Sequence, residues 1–437
     1  MSTRKLGLPL LVTSFMLFSM FFGAGNLIFP PMLGVEAGTN FLPAILGFLG
    51  TGVMLPVLGI IAIAISGDNL RDLAFRGGRL FGLVFPVIAY LAIGAFYALP
   101  RTGAVAYETA LQPLTGWESV PASAAFNVVF FGVSLALAWK PGAIMSNLGK
   151  YLTPALLGLL ALLVVIAVGS FDGSPAAPIE KYADAPLATG LLEGYLTMDS
   201  IASLAFGIIV ISALKSSGVP SGAPLVRGTI IAGLGAGLLL GAIYVSLGAI
   251  GQIIPDPTQY DNGAGLLSDA AHLAMGFPGQ IVFGLIVLLA CLTTAVGLIA
   301  ATSEFFTMLV PRISYLTWAV GFTVLSFVLA TLGLDTVLGV AAPIISFIYP
   351  PAITLIAVTL LQPLLHRRVS LFWTFRLSIW TSVVWSALIT VGADRLISWS
   401  PMHDLSLGWV LPTVVALLLG VLLDARRVVG VPSPTVR

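Results

Sequence analysis

The chain reads as an all-α membrane protein of twelve transmembrane helices, ten of them forming a five-plus-five inverted repeat and two accessory. Three observations predict this. Apolar runs of about 20 residues or more recur from end to end, the length that crosses a bilayer. Basic residues fall with a strong bias on one side of the resulting spans. Two of the runs are interrupted in their middles, five spans apart and in opposite directions.

Composition sets the class. Of 437 residues, 58% are apolar and 8% charged, against about 25% charged in an average soluble domain. One cysteine, Cys291, excludes a disulfide framework. The three histidines, His272, His366 and His403, fall in predicted loops, which excludes a buried histidine metal cluster. A net charge of +1 gives no sign of a nucleic-acid partner. Arg4 and Lys5 before an apolar stretch imitate a signal peptide, but every later segment also needs a membrane, so the stretch reads as a span.

The spans run approximately 6–35, 41–66, 81–111, 122–139, 143–169, 188–214, 225–254, 279–309, 314–333, 335–362, 372–392 and 407–423. Residues 6–169 make the first repeat, 188–362 the second, and 372–423 the accessory pair. Connections are short; the longest outer ones are 170–187 and 255–278, the latter with a short helix expected at Gly265 to Met275. With both termini cytoplasmic, sixteen basic residues lie inside: Arg4, Lys5, Arg71, Arg76, Arg79, Lys140, Lys150, Lys215, Arg227, Arg312, Arg367, Arg368, Arg376, Arg426, Arg427 and Arg437. Three lie outside: Arg101, Lys181 and Arg395. Acidic residues such as Glu36, Asp172, Asp261 and Asp404 lie mostly outside, which agrees but carries little topogenic weight.

Span one breaks at Gly23-Ala24-Gly25-Asn26. Backbone groups freed at bilayer depth cost several kcal/mol each unless they line a polar cavity or bind something. A half-helix ending at the midplane is therefore a site for a small charged solute or ion. Span six carries Asp199 with Thr197, Ser200 and Ser203 at similar depth, and runs in the opposite direction. Span eight contributes Ala290-Cys291-Leu292-Thr293-Thr294. Threonine hydroxyls beside exposed carbonyls form an all-oxygen shell suited to a hard, weakly hydrated cation such as sodium. The competing reading is that both hydroxyls bond back to carbonyls three or four residues earlier.

The run Phe18-Ser19-Met20-Phe21-Phe22-Gly23-Ala24-Gly25-Asn26-Leu27-Ile28-Phe29-Pro30-Pro31, with Gly194-Tyr195-Leu196-Thr197-Met198-Asp199, resembles the bacterial branched-chain amino acid carrier family (BrnQ-type), which takes up leucine, isoleucine and valine. The resemblance covers essentially the whole chain. That family is similar in turn to the leucine-transporter (LeuT-type) fold of sodium-coupled symporters. The resemblance implies a sodium site made by main-chain oxygens of Ser19 and Phe22, the Ala290 carbonyl, and the hydroxyls of Thr293 and Thr294. A second sodium site would use Asn26 and either Thr197 or Ser203, but span seven offers no asparagine there, only Tyr244 and Ser246, so one sodium per cycle is expected.

An amino acid zwitterion needs donors for its carboxylate and acceptors for its ammonium. The amides of Ala24, Gly25 and Asn26, at the positive end of the outer half-helix, suit the carboxylate. Unwound carbonyls of span six, with Asp199, suit the ammonium. Asp199 also reads as a structural carboxylate or a carrier of a coupling proton; function is the default for an ionisable group within a span. Ser200 stands beside it as a further candidate contact. Ile93, Phe96, Tyr97 and Leu99 of span three and Ile201, Leu204 and Phe206 of span six offer apolar walls for a branched aliphatic side chain. Asn127 and Glu193 read as structural; Arg101 either pairs with Glu108 or sits over the outer vestibule; Pro350-Pro351 should kink span ten.

The expectation is an inner-membrane importer of branched-chain amino acids by sodium symport and alternating access, with no cofactor beyond the coupling sodium ion and no assigned oligomeric state. The alternatives are a proton-coupled symporter on the same scaffold, an ion channel, or a membrane-embedded enzyme. A phosphate-cradling Gly-rich loop with Lys is missing, which argues against ATP-driven transport. The single cysteine and loop histidines argue against an enzyme.

Overall fold

A computed structural model describes residues 7–260, 262–365, 371–403, 405 and 407–429. Arg4, Lys5, Leu6, Asp261, His366, Arg367, Arg368, Asp404 and Arg437 lie outside the described residues. Every regular element among the described residues is helical.

Span one is two helices, α1 (Gly7–Phe21) and α2 (Ala24–Ala37), separated by Phe22 and Gly23. A single turn at Gly38–Asn40, with Gly38 at φ 46°, folds the chain back. It continues as α3 (Phe41–Leu49), a wide π turn at Gly50–Met54, and α4 (Leu55–Ser66). The short α5 (Leu70–Ala74) precedes α6 (Arg79–Leu91), α7 (Ala98–Val105) and α8 (Gln112–Thr115), which π turns at Ala92–Phe96 and Ala106–Leu111 join. The first half closes with α9 (Val120–Ala138), α10 (Pro141–Ser146) and α11 (Thr153–Ser170).

After α12 (Glu180–Ala183), span six is also split, into α13 (Pro186–Leu196) and α14 (Asp199–Ser216). Then follow α15 (Ala223–Ile253), α16 (Gly263–Met275), α17 (Phe277–Leu309), α18 (Tyr315–Thr331), α19 (Leu334–Leu365), α20 (Phe372–Thr390) and α21 (Val410–Val429). The short helix expected after residue 265 is α16. It carries His272, exposed within the connection between α15 and α17 where the sequence places it.

Among the described residues, seven stretches are long and apolar enough to cross a membrane, and three further apolar helices are shorter. The protein is a multi-pass membrane protein. The counting differs from twelve partly because Gly25–Ser66 is one continuous 42-residue stretch. At about 1.5 Å per residue it is twice the hydrocarbon thickness, so the turn at Gly38–Asn40 makes it a half-helix and a full span.

The broken helices pack reciprocally. α1 and α2 lie on α15, while α13 and α14 lie on α3 and α4. α1, α14 and α17 also touch one another pairwise, which brings both breaks and the Thr293–Thr294 stretch together. Gly47 and Gly190 let α3 and α13 meet backbone to backbone: a Cβ on Gly190 would run into the Ala44 carbonyl, and one on Gly47 into that of Leu187. Small residues at such crossings are how membrane helices pack closely. The loop after α11 is tied down as well, with the Ile179 amide donating to the Glu36 carbonyl at 2.9 Å and the Thr39 amide to the Ala176 carbonyl at 3.1 Å. Lys181 bridges Glu36 at 2.6 Å and Glu193 at 2.9 Å. The Asn127 side-chain amide donates to the Ser123 carbonyl at 3.0 Å.

Candidate functional site

Both breaks open on one cavity. Gly23 is extended, and its amide donates to the Asn26 side-chain oxygen at 3.2 Å, while the Asn26 amide donates to the Gly23 carbonyl at 3.2 Å. The asparagine thus caps its own half-helix, and one of the three amides expected to face a carboxylate is already engaged. Ala24 opens α2. In span six the reversal is concentrated at Met198, whose φ of 66° is rare for a residue with a side chain. Strain of this kind clusters where a chain is held for function.

The two breaks are stitched through one carboxylate. The Asn26 side-chain amide donates to Asp199 Oδ2 at 2.6 Å and also to the Tyr244 hydroxyl, which donates to the same Oδ2 at 3.1 Å. Asp199 is 4% exposed. Of the two polar side chains of span seven, Tyr244 of α15 reaches the breaks, whereas Ser246 is half-buried and donates back to the Ala242 carbonyl at 2.7 Å.

The cavity holds about 60 Å³ that the centre of a water-sized sphere can reach, inside about 660 Å³ that includes open solvent. Its walls include Gly25, Asn26, Tyr97, Thr197, Asp199, Phe206 and Thr294. Ile93 and Ile201 line it as expected, whereas Phe96, Leu99 and Leu204 do not. Between the two hydroxyl candidates of span six, Thr197 faces the cavity; Ser203 lies inside α14, donating to the Ser200 carbonyl at 2.7 Å. Ser200 points away too, toward the Thr51 carbonyl at 3.3 Å. The carbonyls expected to be free in span six are partly used: Gly194 accepts from the Thr197 hydroxyl at 2.8 Å, and Tyr195 accepts from the Met198 amide and the Tyr349 hydroxyl. Tyr349 escaped sequence reasoning, its one signal being a polar ring just before Pro350-Pro351.

A second cluster joins α1 to α17. The Thr293 hydroxyl lies 2.9 Å from the Ser19 carbonyl, 2.9 Å from that of Leu289 and 3.1 Å from that of Ala290. The Thr294 hydroxyl lies 3.2 Å from the Met20 carbonyl and 3.5 Å from that of Ser19. The Leu289 and Ala290 carbonyls also serve amides within α17. The oxygens of Ser19, Met20, Thr293 and Thr294 gathered between α1 and α17 suit a small cation, and the bond back to Leu289 coexists with that reading. Phe22, the other expected contributor, stacks on Phe18 with ring centroids 5.4 Å apart; its carbonyl is not among the oxygens in reach of these hydroxyls.

Arg101 stands in the cavity wall, donating to the Tyr97 hydroxyl at 2.8 Å.

Two oppositely charged side chains and two broken helices around a membrane-embedded cavity are the apparatus of a transport protein. The solved structure of Mhp1, described as a nucleobase-cation-symport-1 family transporter in a closed conformation with bromovinylhydantoin bound, shares this fold, relating the chain to the LeuT type. It aligns with TM-score 0.59 and 14% identity over 96% of this chain and 92% of that one. The chain belongs to the family described as branched-chain amino acid transport protein, whose model matches residues 8–427. It is 55% identical to the branched-chain amino acid permease BrnQ of Corynebacterium glutamicum, covering 95% of each chain. It is 38% identical to the permease BraB of Bacillus subtilis, covering 94% of this chain and 95% of that one. These relatives are permeases, not enzymes.

Proposed function

We propose that this protein imports leucine, isoleucine and valine by sodium symport and alternating access, in the bacterial inner membrane with both termini cytoplasmic. The observation that carries the reading is the convergence of the breaks of α1–α2 and α13–α14 on one cavity, in a chain whose relatives are named branched-chain amino acid permeases. The amino end of α2 and Asp199 supply complementary charge for a zwitterion. Ile93, Ile201 and Phe206 supply apolar wall, where each buried methylene contributes about 0.8 kcal/mol. The Ser19, Ala290, Thr293 and Thr294 oxygens are the proposed sodium ligands. Twelve spans in two inverted repeats, 6–169 and 188–362, with 372–423 accessory, make sense of the reciprocal packing of α1–α2 on α15 and of α13–α14 on α3–α4.

One observation favours a second reading. Asp199 is buried in the cavity wall with neutral hydrogen-bond partners, which suits a carboxylate that picks up a proton in each cycle. Uptake of labelled leucine into proteoliposomes under separately imposed gradients separates the two. Accumulation driven by sodium with no pH gradient supports the first reading. Accumulation that ignores sodium and collapses with the pH gradient supports the second.

A further inference from the structure

We propose that Arg101 is the carboxylate anchor of the central cavity, holding the carboxylate of the amino acid against the amino end of α2. The assignment rests on the amino acid transport reading above and names the group that recognises one end of the substrate.

Arg101 places a guanidinium within the membrane-spanning bundle. Arg101 sits in α7 between buried Leu99, Pro100, Thr102 and Gly103. A guanidinium within a membrane-spanning segment is costly unless something pairs with it. The ion pairs among the described residues are Lys181 with Glu36 and Glu193, and Lys215 with Asp68; Arg101 enters none. Of its five N–H donors, one is spent on the Tyr97 hydroxyl at 2.8 Å.

The guanidinium has an address. A Cβ placed on Gly25 would lie 2.7 Å from Arg101 Nη2, so the charge rests on the backbone of the first turn of α2. The amino end of a helix carries a partial positive charge of its own. Two positive sources thus meet at one wall; Asp199 lies near enough to interact with the guanidinium, but its Oδ2 is held by Asn26 and Tyr244. That point repels sodium and the substrate ammonium, and it suits an anion with two coplanar oxygens, which a guanidinium grips in two parallel bonds. Asp199 lines the same cavity, with Oδ2 held by Asn26 and Tyr244. One cavity therefore offers a guanidinium and a carboxyl group at separate points, the pattern a zwitterion matches and a simple amine or acid does not. A side chain on Gly25 would displace the guanidinium from this position.

The test is competitive binding to the purified full-length protein, using leucine and isoamylamine, which is leucine without its carboxylate. In the wild type, leucine binds and isoamylamine binds on the order of 30-fold more weakly, since losing one partner of a buried charge pair costs about 2 kcal/mol or more. In Arg101→Gln, leucine weakens to the level of isoamylamine and the gap closes. Arg101→Lys keeps a partial gap, because the charge remains without the fork. If the glutamine variant does not fold, the lysine variant alone decides: a full wild-type gap there overturns the bidentate anchor. An unchanged gap in Arg101→Gln overturns the assignment and leaves the transport reading standing. Wild-type protein that binds neither compound overturns the transport reading itself.

Discussion

Replacing Thr293 by valine removes one hydroxyl and keeps the shape of the side chain. The Thr293 oxygen lies within 3.1 Å of three carbonyls, those of Ser19, Leu289 and Ala290. The Leu289 and Ala290 carbonyls lie inside α17, where backbone amides a turn later serve them, and the Ser19 carbonyl keeps Thr294 at 3.5 Å. The fold should therefore lose only about 1 kcal/mol, the net value of one hydrogen bond. A bound cation would lose a ligand it cannot replace. A contact to a charged group is worth about 1.5–3 kcal/mol, on the order of 10- to 150-fold in apparent sodium affinity. The assay is leucine uptake into proteoliposomes as a function of sodium concentration, with thermal unfolding in detergent as the control. Half-saturating sodium should rise by at least tenfold with little change in unfolding temperature. Unchanged half-saturating sodium in a folded Thr293→Val protein would refute the cation site between α1 and α17.

Three further outcomes follow. Asn26→Leu leaves the Gly23 amide, Asp199 and the Tyr244 hydroxyl without their shared partner and should abolish leucine uptake while the protein still reaches the membrane; wild-type uptake would count against a site at the first break. Gly190→Ala places a methyl against the Ala44 carbonyl and should lower the unfolding temperature by several degrees, about 1–3 kcal/mol of overpacking; an unchanged unfolding temperature would show that α3 and α13 separate freely. Burial lowers the Lys181 pKa, but the hydrogen bonds and charges of Glu36 and Glu193 outweigh it and hold it above its ordinary 10.5. A cation whose folded value is raised stabilises the fold below its unfolded value and ceases to as pH rises through the folded one. Lys181→Met should therefore cost less than about 1 kcal/mol, since the bridge is partly exposed to solvent. That difference should be present at neutral pH and fade above pH 10.5; a difference that grows with alkalinity would contradict the bridge.

Much of the architecture was legible in the chain because bilayers leave few options for backbone. A glycine pair around Asn26, and a carboxylate with hydroxyls in an apolar run, mark places where a helix cannot continue without partners. Both breaks stand within a residue or two of those signals, at Phe22–Gly23 and Thr197–Met198. The turn at Gly38–Asn40 was legible too, since Glu36, Gly38, Thr39 and Asn40 interrupt the apolar run between the first two spans, 6–35 and 41–66.

The sequence by itself determined the helical membrane class, the family, and which helices break, because those depend on local hydropathy and backbone hydrogen bonding. Only the tertiary structure decided that Thr197 rather than Ser203 faces the cavity, that Tyr244 joins Asn26 at Asp199, and that Arg101 turns inward onto Gly25. Those pairings span up to 218 positions in sequence. They arise from how α2, α7, α14 and α15 are rotated against one another, and rotation is set by packing between helices, which no single segment encodes.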